Sequence, residues 1–394
     1  MTRTALIVGA GIGGLSAALA LRHAGWNVRV FERASSPREL GFGLGLAPNA
    51  VRALAELGVA DTVLASAYAP LHARVEVRRM DGAVIKRADV PVAAAMGGRM
   101  AIALRPALHG ALLEAVGPDT IAVHHEAERF TQSAARVTVH FRNAEPAQGD
   151  LLVGSDGMGS VIRRLLHPGE QPPRSSGIVA VRGAVHHVIH HLGPLAAIYY
   201  LDPGVESVIV RASDTGIYWF LSLARELVPS AMTDPAAVLA HMSSRFDDTF
   251  RAVTSPTEDL RFDELVDRDP IPFWSQGAVT LLGDAAHPLL PHTGQGAAQA
   301  IVDGVTLGRL LAGNADILGA LRAYQAERHP KTTTLLQQGR RTARVMRIMN
   351  PIACAIREAM IRAIPAGAIA RLVVKINRRA GTDVRVDSKE FRAG

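Results

Sequence analysis

An apolar, β-prone run, Thr4 to Val8, leads into Gly9, Gly11 and Gly14 at GxGxxG spacing, and Leu15 to His23 then reads as a helix ending at Gly25. A strand, a tight glycine turn and a helix N-terminus in that order aim backbone N–H groups at a pyrophosphate, which points to an α/β dinucleotide-binding unit. The next strand, Val28 to Phe31, ends in Glu32, close to the distance at which an acid accepts hydrogen bonds from a ribose. A carboxylate there favours a free 2′-hydroxyl over a 2′-phosphate, so the ligand is FAD or NAD. The first motif does not choose between them.

A second glycine turn far along the chain makes the choice. Ala278 to Leu282 reads as a buried strand with Gly283 and Asp284 at its end, and Gly294, Gln295 and Gly296 open a helical stretch to Leu311. A strand-end acid can bind a ribityl hydroxyl, while another glycine-rich helix start receives the far end of an extended cofactor. An enzyme using NAD alone has no need of it. Between the two lies GSDGMGSVIR, Gly154 to Arg163, whose Asp156, Gly157, Ser160 and Arg163 would by themselves read as a turn and a capped helix after the strand Leu151 to Gly154.

In this order the three motifs resemble the class A, single-component FAD-dependent monooxygenases. The resemblance implies a Rossmann-like FAD-binding part interleaved with a mainly antiparallel substrate sheet. It places Asp284 on the ribityl chain, Gly296 and Ala297 over the flavin, and Asp156 and Gly157 in a DGxxSxxR signature tied to FAD and NAD(P)H. Arg105, opening a helix from Pro106 to Val116, matches an arginine that approaches the flavin, and Pro291 matches a proline whose carbonyl lies beside the oxygen-reacting edge. Val302 departs from the pattern, which has an acid before Asp303; the departure bears on local helix packing. The implied chemistry is NADH or NADPH reduction of FAD, capture of O2 as a flavin hydroperoxide, and hydroxylation of an electron-rich aromatic or conjugated carbon. A halogenase, epoxidase or reductase of the same superfamily is the alternative, although a WxWxIP signature is absent from a chain whose tryptophans are Trp26, Trp219 and Trp274. A flavin-binding regulatory protein without turnover is the alternative outside enzymes.

With 394 residues the chain can bury a substantial core. Two segments break the α/β rhythm: a hairpin from His72 to Arg87, with Asp81 and Gly82 as a type I′ turn, and successive strands from Gly177 to Leu223. Cofactor motifs flank both. We therefore expect a discontinuous FAD-binding domain over 1–71, 97–170 and 274–340, a substrate domain over 72–96 and 171–273, and a helical basic tail over 341–394. Asp234 and Pro235 read as the N-cap and first turn of a helix ending near Phe246. A single cysteine, Cys354, excludes disulfides and a CxxC pair; neither a leader nor a charge-free span is read, and a cytoplasmic enzyme is expected.

Strand alternation from Gly216 to Leu223 puts Tyr218 and Phe220 on one face and Ile217 and Trp219 on the other, with one pair facing a cavity. Tyr218 and His292 join Pro291 as candidate catalytic residues, His292 as an acid/base group or substrate hydrogen bond. His287 is expected to be structural, and the loop Gly41 to Asn49 to close one side. The run His186, His187, His190 and His191 has no acidic or cysteine partner beside it and reads as a loop, so no metal site is expected.

Charge is uneven. His329 to Arg379 holds eleven Lys and Arg against one acid, Glu358, a local +10 in a chain whose net charge is +7; the remainder is slightly acidic at −3. Ile352, Ile356, Met360 and Ile364 repeat there at helical spacing. Such a stripe packs on the protein body, or forms a basic amphipathic surface that touches anionic lipid and admits a lipophilic substrate. No nucleic-acid recognition motif accompanies the charge.

Overall fold

The strand Thr4–Val8 lies deep in a six-stranded sheet whose order is Ser275–Gln276, Val279–Leu281, Leu151–Gly154, Thr4–Val8, Asn27–Phe31 and Ile121–Ala122. This is a computed structural model, and it describes residues 2–37, 42–92, 97–133 and 136–365. All pairings but that of the edge strand Ser275–Gln276 are parallel, with Ala5 opposite both Leu151 and Val28. Parallel strands are covered on both faces, which is why Leu6, Ile7, Leu152 and Val153 are all wholly buried and the sequence there reads as unbroken apolar runs.

The helix Ile12–His23 packs against Gly296–Leu311 at very short range. A Cβ on Gly304 would lie 2.7 Å from Ala17 N, and one on Gly308 would lie 2.6 Å from Ala20 Cβ. Near the start of the first helix, a Cβ on Gly13 would meet Ala300 Cβ at 3.2 Å. The contact partners climb together along both helices, so the two run parallel and begin at the same edge of the sheet.

A seven-stranded sheet forms the second layer, ordered Leu260–Asp267, Arg174–His186, Gly216–Ala224, Val205–Arg211, Ala197–Asp202, His72–Arg78 and Val84–Pro91. Only Ala197–Asp202 against His72–Arg78 is parallel. Ile217, Trp219 and Leu221 on one face are wholly buried against Val238, Met242 and Phe250 of the helices Pro235–Ser243 and Asp248–Thr254. Asp234 caps the first of these helices by accepting a 2.8 Å bond from Ala237 N. The Trp219 indole donates to Thr257 Oγ1 at 3.0 Å, fixing which way that face points. The thirty-residue helix Ile317–Met346 spans both layers: Tyr324 donates to Leu281 O at 3.2 Å near one end, and Arg340 is paired with Asp267 at 2.9 Å near the other.

Two expectations need correction. The hairpin turn is not type I′: Gly82 has φ +89° but Asp81 does not share a positive φ, and the turn closes instead by Gly82 N bonding Arg79 O and Ala83 N bonding Asp81 Oδ1. The Asp side chain supplies the bond, so the left-handed backbone is needed once. Of the stripe, Ile352, Ile356 and Met360 do not pack on the body, being 72%, 57% and 64% exposed, whereas Ile364 is half-buried. The helix Pro351–Ala363 docks by its other edge, through buried Cys354, an Arg357 bond to Asp202 O and Lys86 Nζ bonds to the carbonyls of Arg362 and Ile364. A cation at the last carbonyls is favourable for a helix end. Arg371, Lys375 and the rest of the tail beyond residue 365 lie outside the described residues, as does Gly41. Among the described residues no helix is long and apolar enough to cross a membrane.

Candidate functional site

The glycine turn is built so that backbone comes close. Gly9 has φ +104°, and a Cβ there would sit 2.5 Å from Ser155 O; one on Gly14 would sit 1.9 Å from Gly9 O. Gly11 is the extended N-cap of Ile12–His23 and supplies no side-chain bond, so the first N–H groups of that helix face outward. Gly296 likewise opens its helix after Gln295 without a side-chain cap. Because the helices are parallel, both positive dipole ends lie at one edge, a place suited to an anion with two phosphates. Glu32 stands beside it with each carboxylate oxygen held once, by Ala10 N and by Ala34 N, both at 2.9 Å. Its remaining lone pairs can take hydroxyl groups. Arg105 is half-buried at the first turn of Arg105–Val116, its own N–H bonded to Phe42 O.

The carboxylate of the middle motif is tied to its own helix start. Asp156 Oδ1 accepts from Ser160 Oγ at 2.5 Å and Oδ2 from Val161 N at 2.7 Å, so the side chain is spent on capping the short helix Val161–Leu166. Burial pushes this carboxyl above its ordinary range, partly offset by those hydrogen bonds. Gly157 has φ +75° and open space beside it. Arg163, almost wholly buried, grips Glu170 with two bonds of 2.8 and 2.6 Å and donates to the carbonyls of Ala285 and Ala286. The middle motif is thus a clamp on the third one.

In that third motif Asp284 is exposed at the strand end, in a turn that Gly283 enters with φ +60°. Behind it His287 Nε2 meets Asp303 Oδ2 at 2.5 Å, Arg328 Nε donates to Asp303 Oδ1 at 2.6 Å, and Gly283 N donates to Asp303 Oδ2 at 3.1 Å. His287 is structural, as expected. Burial alone would raise the Asp303 carboxyl, but the charges and hydrogen bonds of His287 and Arg328 outweigh it and hold it below its ordinary range. Val302 is partly buried against the core, an apolar fit at the position where the resembling pattern has an acid. Pro291 starts the turn Pro291–Thr293, and its carbonyl accepts from Gly294 N at 2.8 Å. Thr293 Oγ1 and His292 Nε2 are buried with no partner, two orphan polar atoms in one turn.

The strand Gly43–Leu46 bridges the two layers. A Cβ on Gly43 would lie 2.3 Å from the Tyr218 ring, and one on Gly45 would lie 3.6 Å from Gly294 O. Ile217 and Trp219 fill the helix-packed core, so Tyr218 and Phe220 are the pair on the open face. Burial, with a smaller push from Asp263, raises the Tyr218 phenol to about 12 against a lowering by Arg182; at neutral pH it is a neutral hydroxyl, not a base. Register adds residues that the sequence reading missed. Tyr199 and Phe220 both pair with Val208, which puts Tyr199, Val208 and Phe220 in one row, and Glu206 lies on the same face of its strand. Glu206 Oε2 is 3.1 Å from His292 Nδ1, linking sheet to turn. The His292 side chain is 0% exposed and that of Glu206 13%, so the exposed member of the pair is the acid. The signal available in the sequence was an acid inside the apolar strand Val205–Val210, in the same alternation phase as Tyr218 once the strands are paired. The histidine run is split, with His186 ending a strand and His190 and His191 in the turn Ile189–Leu192.

The sequence profile of the FAD binding domain family matches residues 2–339. The chain is 32% identical over 364 residues to the aurachin C monooxygenase/isomerase of Stigmatella aurantiaca, covering 91% of this chain and 94% of that protein. It is 31% identical to the 3-amino-4-hydroxybenzoate 2-monooxygenase of Streptomyces cremeus, with 91% of each covered. Among solved structures, Klebsiella pneumoniae HpxO complexed with FAD and uric acid superposes with a TM-score of 0.87 at 25% identity, covering 96% of this chain and 97% of that one.

Proposed function

The chain belongs to the FAD-binding family of single-component flavin monooxygenases, and from that premise we propose that it hydroxylates an aromatic or conjugated small molecule with O2 and NADH or NADPH. One oxygen atom enters the ring as a hydroxyl, the other leaves as water, and the nicotinamide supplies two electrons. The observation that carries this reading is the pair of parallel, uncapped helix starts at Gly11 and Gln295 facing one edge, with an aromatic sheet face bridged to it by Gly43–Leu46.

The residues fit FAD. A tight turn that a Cβ on Gly9 or Gly14 would force apart, the acid Glu32 beside it and the orphaned Thr293 Oγ1 all suit a long diphosphate cofactor with hydroxyl groups and a polar ring. Gly9, Gly11 and Gly14 would take the pyrophosphate, Glu32 the adenosine ribose and Asp284 the ribityl chain; Gly296, Ala297, Pro291 and Arg105 would border the flavin. Asp156 and Gly157 would act by holding the loop beside Gly9. FAD, when bound and reduced, supplies the activation of O2. The chain supplies position, a dry site and a place for a proton: Tyr218 orients the ring as a neutral hydroxyl, and the His292–Glu206 pair exchanges the proton of a ring substituent.

The test is to purify the yellow protein and screen aromatic compounds for acceleration of NAD(P)H oxidation, then to look by mass spectrometry for one labelled atom from isotopic O2. Oxidation that no compound accelerates, with no label in any product, would leave a flavin-binding protein of another role.

The exposed stripe of Ile352, Ile356 and Met360 favours a second property, contact with an anionic lipid surface beside a cytoplasmic enzyme. Several cations of the segment are spent internally, Arg340 on Asp267, Arg347 on Glu226 and Arg362 on Glu358, so the apolar face carries more of this contact than the charge count implies. Co-sedimentation with anionic vesicles should fall on Ile356→Glu. Equal, negligible binding of both proteins would end the lipid reading.

A further inference from the structure

The polar groups of the open sheet face are few. Glu206 lies one row from Tyr199 and Phe220, and among the described residues its hydrogen-bond partner is His292. A carboxylate only accepts, so His292 Nδ1 carries the hydrogen between them, which fixes the tautomer and leaves Nε2 as the buried atom without a partner. The pair carries one negative charge with a neutral imidazole and none with an imidazolium. In neither state does it offer net positive charge. Among the described residues, this face also carries Arg182 and Arg261, which share Asp263 at 3.6 and 2.7 Å two and three strands away, and Lys86, three strands away on the other side and spent on the carbonyls of Arg362 and Ile364. The Tyr199 phenol is raised by burial and then by the Glu206 charge, so it remains a neutral donor beside the acid.

We propose that Glu206 is the substrate-selecting residue of this face: it accepts a hydrogen bond from an O–H or N–H group on an uncharged ring, and it disfavours ring carboxylates. This inference rests on the aromatic-hydroxylase reading and deepens it. The ring lies over Tyr199, Tyr218 and Phe220, three of the few aromatic side chains of the protein. Its donor group points to the outer oxygen of Glu206, while His292 holds the inner oxygen and ties the acid to the turn that follows Pro291. An ionised carboxylate in that position meets the like charge of Glu206 at short range.

The experiment uses the FAD-loaded protein and matched probe pairs, 2-hydroxypyridine against 6-hydroxynicotinate and phenol against 3-hydroxybenzoate, with binding read from the perturbed flavin absorbance. The neutral member of each pair should bind about tenfold tighter, and Glu206→Gln should remove most of that preference. Glu206→Asp, which keeps the charge, should retain it, and this variant separates charge from packing. Carboxylates that bind the wild type as tightly as their neutral partners, or a ratio that Glu206→Gln leaves unchanged, overturn the inference and leave the hydroxylase reading standing. Binding of neither class by a protein that keeps its flavin overturns the inference together with the aromatic substrate class beneath it.

Discussion

The two edges that meet at Gly43–Leu46 are made of different material. On the parallel-sheet side the site is backbone: Gly9 and Gly14 give way to a close approach, two helices present bare N–H groups, and polar side chains such as Asp156 and Asp303 face inward to hold turns in place. On the seven-stranded side the site is side chain: Tyr199, Tyr218, Phe220 and Glu206 stand on strands whose other face is a packed core. A backbone site tolerates little change because its geometry is the fold itself. A side-chain site can be rewritten while the sheet stays intact, which is how one fold serves many substrates.

The sharpest way to break this contrast is Asp303→Asn. Removing the buried charge leaves Arg328 and His287 uncompensated, and the protein should lose about 3–5 kcal/mol with its flavin. The pH dependence has a defined sign. The folded Asp303 carboxyl titrates below its unfolded value, so its contribution is complete above the ordinary carboxylate range and is lost as pH falls through the lowered one. The melting temperature of the wild type should therefore drop more steeply on acidification than that of the variant; parallel profiles would show that Asp303 is not the acid-sensitive brace.

Glu32→Ala comes next. The lost acceptor should cost about 1.5–3 kcal/mol of FAD affinity while the protein remains folded, although Ala10 N and Ala34 N also lose their partner. Undiminished flavin content after dialysis would refute the ribose role. Asp284→Ala should weaken FAD more mildly, since its carboxylate is exposed and water can replace it.

On the opposite face the expected stability effects are smallest and the chemical ones plain. Tyr218→Phe should move the midpoint of denaturant unfolding by less than about 1 kcal/mol and retain flavin, yet lower the hydroxylated product formed per NAD(P)H. His292→Ala, which empties a buried position and frees Glu206, should keep flavin and divert reducing equivalents to hydrogen peroxide. Should either variant lose FAD as Glu32→Ala does, the distinction between the two edges fails.

How much could be read beforehand follows the same division. The glycine turns, Glu32 and the helix Gly296–Leu311 were legible because backbone geometry demands particular residues at fixed local spacing. Tyr218 was recovered only as one of two alternatives, since alternation gives faces but not which face is covered; helices 235–243 and 248–254 decide that. Glu206 was missed because its relevance depends on register across strands and on His292, 86 positions away. Asp156 was read as part of a cofactor signature, and its capping of Val161–Leu166 was not distinguished from that, because capping and a ligand contact look alike in a DGxxS string. The exposed Ile352 stripe reversed the expected packing because periodicity identifies an apolar face without naming what covers it.

The parallel contact of Ile12–His23 with Gly296–Leu311 also has a consequence in time. During synthesis the first glycine turn leaves the ribosome early, but the helix that Gly304 and Gly308 press against it is encoded some 280 residues later. At about 5–20 residues per second the gap is on the order of tens of seconds. Through that interval the small-residue face of the first helix, Gly13, Ala17 and Ala20, has no native cover, and half of the cofactor cradle is missing. Nascent chains should therefore be unable to retain FAD until the segment around Leu311 has emerged, and truncations ending before Gly296 should depend on chaperones to stay dispersed.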